Sequence, residues 1–324
     1  MRVLVTGGAG YIGSHMAKLL VETGAQVTVL DDLSTGHPEA VRGRDFVKGD
    51  IADVSFMKKL LQEKAIEAVV HFAASSLVGE SMADPLKYYR RNIGGTAALL
   101  QAMHEAKVTR IVFSSTAAVY GDPVRIPIDE AHPTQPVNPY GASKLAVERM
   151  LSDCSAAYGI GAVVLRYFNA AGADPSGDLG ERHDPETHLI PLVLQAAAAR
   201  RESISVYGND WPTRDGTCVR DYIHVSDLCV AHLQALEWLA NGGRYEVFNL
   251  GNGEGATVLE VIEAARRVTG KPIKIVPSPR RAGDPPSLVA DASKARRVLG
   301  WQPARADIED IVRDAWNFEQ RRPR

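Results

Sequence analysis

Residues 2–20, RVLVTGGAGYIGSHMAKLL, set a five-residue apolar run, a turn with four glycines and a helix-period segment in immediate succession. That order describes the first strand, loop and helix of a parallel α/β unit. Read from Gly8 the turn has the spacing GxGxxG, and read from Gly7 it has GxxGxxG. Such a turn brings backbone N–H groups and the positive end of the next helix close to a pyrophosphate. Asp31 closes the next strand-like run, QVTVLDD, about 20 residues on, where a carboxylate accepts hydrogen bonds from an adenosine ribose. Asp31 and Asp32 favour NAD over NADP, because a 2′-phosphate would meet like charge, and no arginine follows them closely in sequence. A structural glycine turn with a surface carboxylate is the plain alternative. Strand, loop, helix, strand and acid in the right order weigh against it.

The same alternation continues through AVVHFAA, RRNIGGTAALLQAMHEA, RIVFSS, SKLAVERMLSDCSAAY and GAVVLRY. Continuous apolar strands separated by helices predict a doubly wound parallel sheet covered on both faces, the Rossmann-type α/β fold. Beyond Tyr167 the stretch AAGADPSGDLGERHDPETH is rich in Gly, Pro and Asp and reads as a boundary or an active-site loop. The rest mixes helix patterns (LIPLVLQAAAARR, VSDLCVAHLQALEWLA, TVLEVIEAARRVTG, ADIEDIVRDAWNFEQ) with the short strands SISVYG and YEVFNLG. It predicts a smaller mixed α/β substrate domain, with VFNLG returning to the first sheet. The expected division is residues 1–168 plus about 217–250 for the NAD-binding domain, and about 169–216 plus 251–324 for the other. Only the RRPR tail reads as frayed.

A formal net charge of −2, with 23% charged residues, gives no basic footprint for nucleic acid or an acidic membrane. No run reaches the roughly 18 apolar residues of a membrane span. Cys154, Cys218 and Cys229 lack metal-site spacing, and MRVLVTG opens on a strand-like run rather than a leader. The expectation is a cytoplasmic protein without a metal.

In PYGASKLAVE, Tyr140 and Lys144 stand four apart at the start of a helical pattern and so share one face. A phenol with a pKa of about 10 is a poor base at neutral pH. A neighbouring ammonium and an oxidised nicotinamide favour the phenolate, and a base so tuned takes a hydroxyl proton while hydride leaves the same carbon. An exposed Tyr/Lys pair is the commoner meaning of YxxxK alone. The dinucleotide turn upstream reverses that balance.

GGAGYIG with YGASK resembles the extended short-chain dehydrogenase/reductase family. FSSTAAVYG, RYFNAAGADPSGDLGE, YGNDWPTRDGTCVRDYIHV and RRAGDPPSLVADASKA resemble the UDP-galactose 4-epimerases within it, over essentially the whole chain. The resemblance implies that NAD takes hydride from C4 of a UDP-hexose, the 4-keto sugar turns over, and hydride returns to the other face. It implies Tyr140 and Thr116 as the proton-handling pair, with Lys144 on the nicotinamide ribose. Gly7, Gly10, Tyr11, Ile12 and Gly13 would form the cofactor turn. Asp31 and Asp32 would meet the adenosine ribose, with Asp50 and Ile51 at the adenine. Phe72, Ala73 and Ala74 would line the pyrophosphate and nicotinamide side, Asn92 and Ser114 the ribose and nicotinamide, and Tyr167 and Phe168 the nicotinamide itself.

For the substrate, Arg220 and Arg281 offer planar donor forks to a diphosphate. Asn169 follows Tyr167 and Phe168 and reaches a phosphate or sugar oxygen. The resemblance adds His188 and Leu189, Val206 and Tyr207 beside the uracil, and Asp284 near its ribose. Two positions depart from the family pattern: Ser76 stands where some members carry lysine, and His188 where some carry asparagine. Leu288 occupies the position that sets room around the sugar C2 substituent and leans towards unsubstituted hexoses.

Several readings stay open. A 4,6-dehydratase shares Tyr, Lys and NAD but places Asp-Glu after the catalytic Ser/Thr, where this chain has Ala117 and Ala118. Epimerases of UDP-N-acetylhexosamines or UDP-pentoses differ only in pocket volume, and a silent NAD-binding sensor would lack Tyr140, Lys144 or Thr116. The family likeness favours a homodimer through segments 92–106 and 141–158, although core burial in one chain explains the same apolar faces.

Overall fold

The computed structural model describes residues 1–281 and 284–322. Its strands are β1 (Arg2–Thr6), β2 (Gln26–Asp31), β3 (Asp45–Lys48), β4 (Ala68–His71), β5 (Arg110–Ser114), β6 (Gly161–Tyr167), β7 (Asn169–Ala171), β8 (Ile204–Tyr207), β9 (Val219–Arg220), β10 (Tyr222–His224), β11 (Tyr245–Leu250), β12 (Ala256–Thr257), β13 (Ile275–Ser278) and β14 (Ser287–Leu288). Its helices are α1 (Tyr11–Glu22), α2 (Val54–Glu63), α3 (Val78–Ala83), α4 (Pro85–Tyr88), α5 (Gly95–Ala106), α6 (Pro139–Tyr158), α7 (Leu189–Ala197), α8 (Val225–Ala240), α9 (Val258–Thr269), α10 (Ser293–Leu299) and α11 (Ile308–Arg321).

Seven strands form one parallel sheet in the order β3-β2-β1-β4-β5-β6-β11. Residues 247–250 return to it beside β6, as the sequence predicts. Val3, Val5, Val163, Leu165 and Phe248 pack on one face with Met16 and Leu20 of α1 and Leu228 and Leu236 of α8. Leu4, Val69, Ile111 and Val164 pack on the other with Met57, Leu99, Met103 and Val147 of α2, α5 and α6. Burial on both faces explains why these strands read as unbroken apolar runs. Chain order reverses between β1 and β4, so a crevice opens at their carboxyl ends.

Beside this sheet, α7, α9 and α11 enclose a separate apolar cluster with β8, including Ile190, Val193, Val261, Ile262 and Ile311. Thr257 and Glu260 close a reciprocal capping box at the start of α9. The three-stranded sheet β12-β9-β14 sets Arg220 level with Leu288.

Several elements differ from the sequence patterning. β3 and α2 lie in a stretch where it marks nothing, because β3 carries only Phe46 and Val47 as apolar residues. RRNIGG is not the plain start of a helix: Tyr89–Gly94 is a π-helical turn leading into α5. Arg321 of the supposed frayed tail ends α11, and residues 323–324 lie outside the described range. Among the described residues no helix is long and apolar enough to cross a membrane.

Candidate active site

The glycine turn packs against the end of β4. Gly7 has φ +69°, and a Cβ there would lie 2.6 Å from the Ala73 nitrogen; one on Gly13 would lie 2.2 Å from the Gly7 carbonyl. Only glycine permits this approach of turn to strand end. Helix α1 starts at Tyr11 with Gly10 as N-cap and no side-chain cap, so its first N–H groups face the crevice unclaimed by a side chain. Residues 7–13 therefore have the shape and donors a dinucleotide pyrophosphate needs. Ile12 and Phe72 pack at the rim of the α1/α8 core, and Ala74 stands beside Ala73 at the end of β4.

The two acids of QVTVLDD behave differently. Asp31 is buried, and its carboxylate accepts hydrogen bonds from the backbone N–H groups of Ala9 and Leu33, at 2.9 and 2.8 Å. Burial raises its pKa, while those two donors pull it back. Asp32 is exposed, and Arg91, distant in sequence, comes within 3.9 Å of it. An arginine therefore does reach this pair, but at Asp32, while Asp31 is the acid bonded to the glycine turn. Asp50 is exposed and turns its carboxylate to the Ala52 N–H, with Ile51 buried beneath. The Asn92 amide is taken up by Ser75 and Ser143, so it ties the loop after β4 to α6.

Tyr140, Lys144, Thr116 and Ser114 converge where β5 ends beside α6. Asn138 caps α6 by accepting from the Gly141 N–H, and Pro139 pre-sets the first turn. That start aims Tyr140 towards Thr116, whose hydroxyl lowers the phenol's pKa while the larger effect of burial raises it. The lowering expected from Lys144 is not what governs Tyr140 here. The Lys144 ammonium instead donates to the Ser114 carbonyl at 2.8 Å and lies over the Phe113 ring. Burial pulls its pKa down to about 7 against the opposing charge of Glu148. Tyr167 meets the Ser114 hydroxyl at 2.5 Å, its own proton held more firmly by burial. Thr116 accepts from the Ala118 N–H and begins a 3₁₀ turn, Ala117–Val119.

The expected substrate residues form looser pairs. Arg220 donates to Asp284 at 2.7 Å, so the expected phosphate anchor and ribose partner hold one another. The Arg281 guanidinium lies 3.9 Å from the centre of the Tyr207 ring, both exposed. Val206 does not share that surface: strand alternation turns its side chain into the α7/α9 core, leaving only its backbone to meet a base. Asn169 opens β7 with its N–H bonded to the Asp221 carbonyl. His188 caps α7 ahead of Leu189, between the carboxylates of Glu181 and Glu186, which raise its pKa to about 10 against the effect of burial. Leu288 and Phe168 each pack against the small cluster of Ala117, Val119, Tyr120, Ile128 and Leu145, in which Ala117 directly follows Thr116 in the chain.

Sequence reasoning passes over what holds Tyr140 and Thr116 in place. Glu148, one helical turn beyond Lys144, accepts from Ser115 and Arg166, and Arg166 donates to the Tyr120 hydroxyl. Tyr120 in turn donates to Asn249 of β11. All five are buried, so the strand end carrying Thr116 is locked to α6 and to the outermost strand. The i,i+4 spacing of Lys144 and Glu148 was the available signal.

Residues 4–315 match the family model described as GDP-mannose 4,6 dehydratase. The chain is 55% identical to UDP-glucose 4-epimerase from Streptomyces lividans, across all of this chain and 97% of that protein. It is 53% identical to UDP-glucose 4-epimerase from Halalkalibacterium halodurans, with the same coverage. It also superposes on UDP-glucose 4-epimerase from Stenotrophomonas maltophila, solved with bound NAD and formylated UDP-arabinopyranose, with a TM-score of 0.96 at 44% identity, over 99% of this chain and 98% of that one. With Ala117 and Ala118 where a dehydratase carries its acid pair, the full-length relatives rather than the broad model set the assignment: the chain belongs to the UDP-glucose 4-epimerase family.

Proposed function

We propose that the protein interconverts UDP-galactose and UDP-glucose by NAD-dependent epimerisation at C4. The carrying observation is the convergence of Tyr140, Thr116 and Lys144 at one end of the sheet, next to a glycine turn whose approach to Ala73 admits no side chain. Residues 7–13 and Asp31 would hold the dinucleotide. When bound, NAD supplies the acceptor and donor of hydride, so no net oxidation occurs.

The chain's own residues manage the proton and the sugar. Tyr140 takes the 4-hydroxyl proton and gives it back, and Thr116 carries the hydrogen bond between phenol and sugar oxygen. Lys144 is the chain's own cation one helical turn away, and a pKa of about 7 leaves it partly charged at neutral pH. Arg220 and Arg281 anchor the diphosphate, so the binding energy resides in UDP while the hexose turns. Ala117 and Ala118 have no proton to transfer, so water is not eliminated across C5 and C6. Residues 1–168 with about 217–250 act as the NAD-binding unit, and about 169–216 with 251–324 as the UDP-sugar unit. The protein works as a cytoplasmic homodimer, paired through α5 and α6.

The test uses purified protein and UDP-galactose with no added cofactor. UDP-glucose should form catalytically, and denaturation should release NAD. A single stoichiometric turnover yielding free NADH overturns the reading. UDP-N-acetylgalactosamine and UDP-arabinose run in parallel report how far Leu288 restricts the sugar.

A further inference from the structure

The segment 172–188 joins β7 to α7 without a helix or a named strand of its own, and Leu179 and Ala173 are its buried apolar side chains. Apolar packing is sparse along so long a loop, and polar ties such as Lys18–Asp174 and Arg182–Glu39 do part of the holding. The loop's second half gathers Glu181, His183, Glu186 and His188, each with one ligand-type atom within 4.8 Å of all the others.

We propose that these four residues form a closed site for a divalent transition metal, zinc by its donor set, that fastens this loop beside the sugar-nucleotide pocket. Three observations support it. The imidazole Nδ1 atoms of His183 and His188 lie 2.9–3.8 Å from the carboxylate oxygens of Glu181 and Glu186. Metal bonds of about 2.0–2.1 Å in a tetrahedron set ligand atoms roughly 3.3 Å apart, so only small movements complete the shell. The carboxylates are 7% and 5% exposed, yet among the described residues the Glu186 Oε2 has no hydrogen-bond partner, and the His183 Nδ1, although 3.1 Å from Glu181, makes no well-angled hydrogen bond. Leaving both without one is costly unless something else binds them. Finally, Glu186 is already oriented: its Oε1 accepts the backbone N–H groups of Thr187 and His188 at 2.9 and 3.0 Å. Such outer contacts are how proteins aim a metal-binding carboxylate.

Two imidazoles with two carboxylates suit zinc or its first-row neighbours better than calcium or magnesium, which prefer all-oxygen shells. Four protein ligands leave no open position, so the role is structural rather than catalytic. A cleft of about 550 Å³, lined by His37, Arg182, His183, Glu186 and Gln195, gives the ion its way in. The site also bears on the cofactor turn, because the Tyr11 hydroxyl donates to the Gly172 carbonyl at the head of the same loop.

The experiment is elemental analysis of the purified full chain, followed by cobalt(II) titration after chelator stripping. One bound metal per chain is expected, with the intense visible bands of tetrahedral cobalt and a lower unfolding midpoint once stripped. His183→Ala and Glu186→Gln should each lose about 100-fold or more in cobalt affinity. The neighbouring exposed variant Asp184→Asn should bind as the parent does. Glu186→Gln keeps the side chain's size, and circular dichroism checks that it folds. No tightly held metal, a pale octahedral cobalt spectrum, or equal binding by the ligand variants would overturn the site and leave an imidazole–carboxylate network in its place.

Discussion

The proposed chemical end and the proposed nucleotide-sugar end of the crevice are built on opposite terms. Thr116, Lys144 and Ser114 are buried, and the Glu148, Arg166, Tyr120 and Asn249 network ties their supports to three elements of the main sheet layer. Arg220, Asp284, Arg281 and Tyr207 come from short strands and loops, are partly or largely exposed, and bond to one another. Proton transfer tolerates little displacement, so the reacting groups sit on rigid elements. A site that must grip UDP while the hexose turns needs strong anchors on adjustable segments.

If that contrast holds, substitutions at the two ends should fail in different kinetic terms. Tyr140→Phe removes the phenol that faces Thr116 and should cut kcat by about 100- to 10,000-fold, with NAD still released on denaturation. Unchanged turnover would place the base elsewhere. Arg220→Ala should act mainly on KM. Losing charge-assisted hydrogen bonds of about 1.5–3 kcal/mol predicts a rise of roughly 10- to 100-fold for the UDP-sugar, measured by steady-state kinetics. A fall in kcat with KM unchanged would show that the arginine serves the chemical step and would erase the distinction.

The same contrast explains what the sequence disclosed. The glycine turn, the parallel strands and the return of β11 are legible because each rests on local periodicity or on a backbone position only glycine can occupy. β3 is not, since it carries only two apolar residues among four; α2 was readable but passed over, because Val54, Met57, Leu60 and Leu61 follow a helical period. Tyr140, Lys144 and Thr116 are legible from short motifs, but the dominance of burial over Lys144 in setting the phenol's pKa is not, because depth is a tertiary property. The Arg220–Asp284 pair spans 64 residues and leaves no local trace. The inward turn of Val206 was readable, because it shares the strand parity of Ile204.

Leu288 lies between the two ends: it is level with Arg220 across β14 and β9, and it packs against the cluster that contains Ala117. Leu288→Ala should leave turnover of UDP-galactose within about tenfold while raising kcat/KM for UDP-N-acetylgalactosamine, because an apolar pocket discriminates only modestly by volume. No gain with the N-acetyl sugar would mean that another wall limits the pocket.

The smallest effect concerns stability, and its sign follows from Lys144. Burial lowers the pKa from 10.5 when unfolded to about 7 when folded. Below pH 7 both states carry the proton, and the folded chain bears the full cost of a buried ammonium. Between pH 7 and 10.5 the unfolded chain binds more protons, so this group makes stability rise with pH; above that range the cost is gone. Lys144→Met, which cannot titrate, should therefore unfold a few degrees higher than the parent at pH 6, with the gap closing towards pH 10. Thermal unfolding across that range measures it. A gap independent of pH would show that the ammonium is not penalised by burial, and that the chemical end is less closed to water than its packing implies.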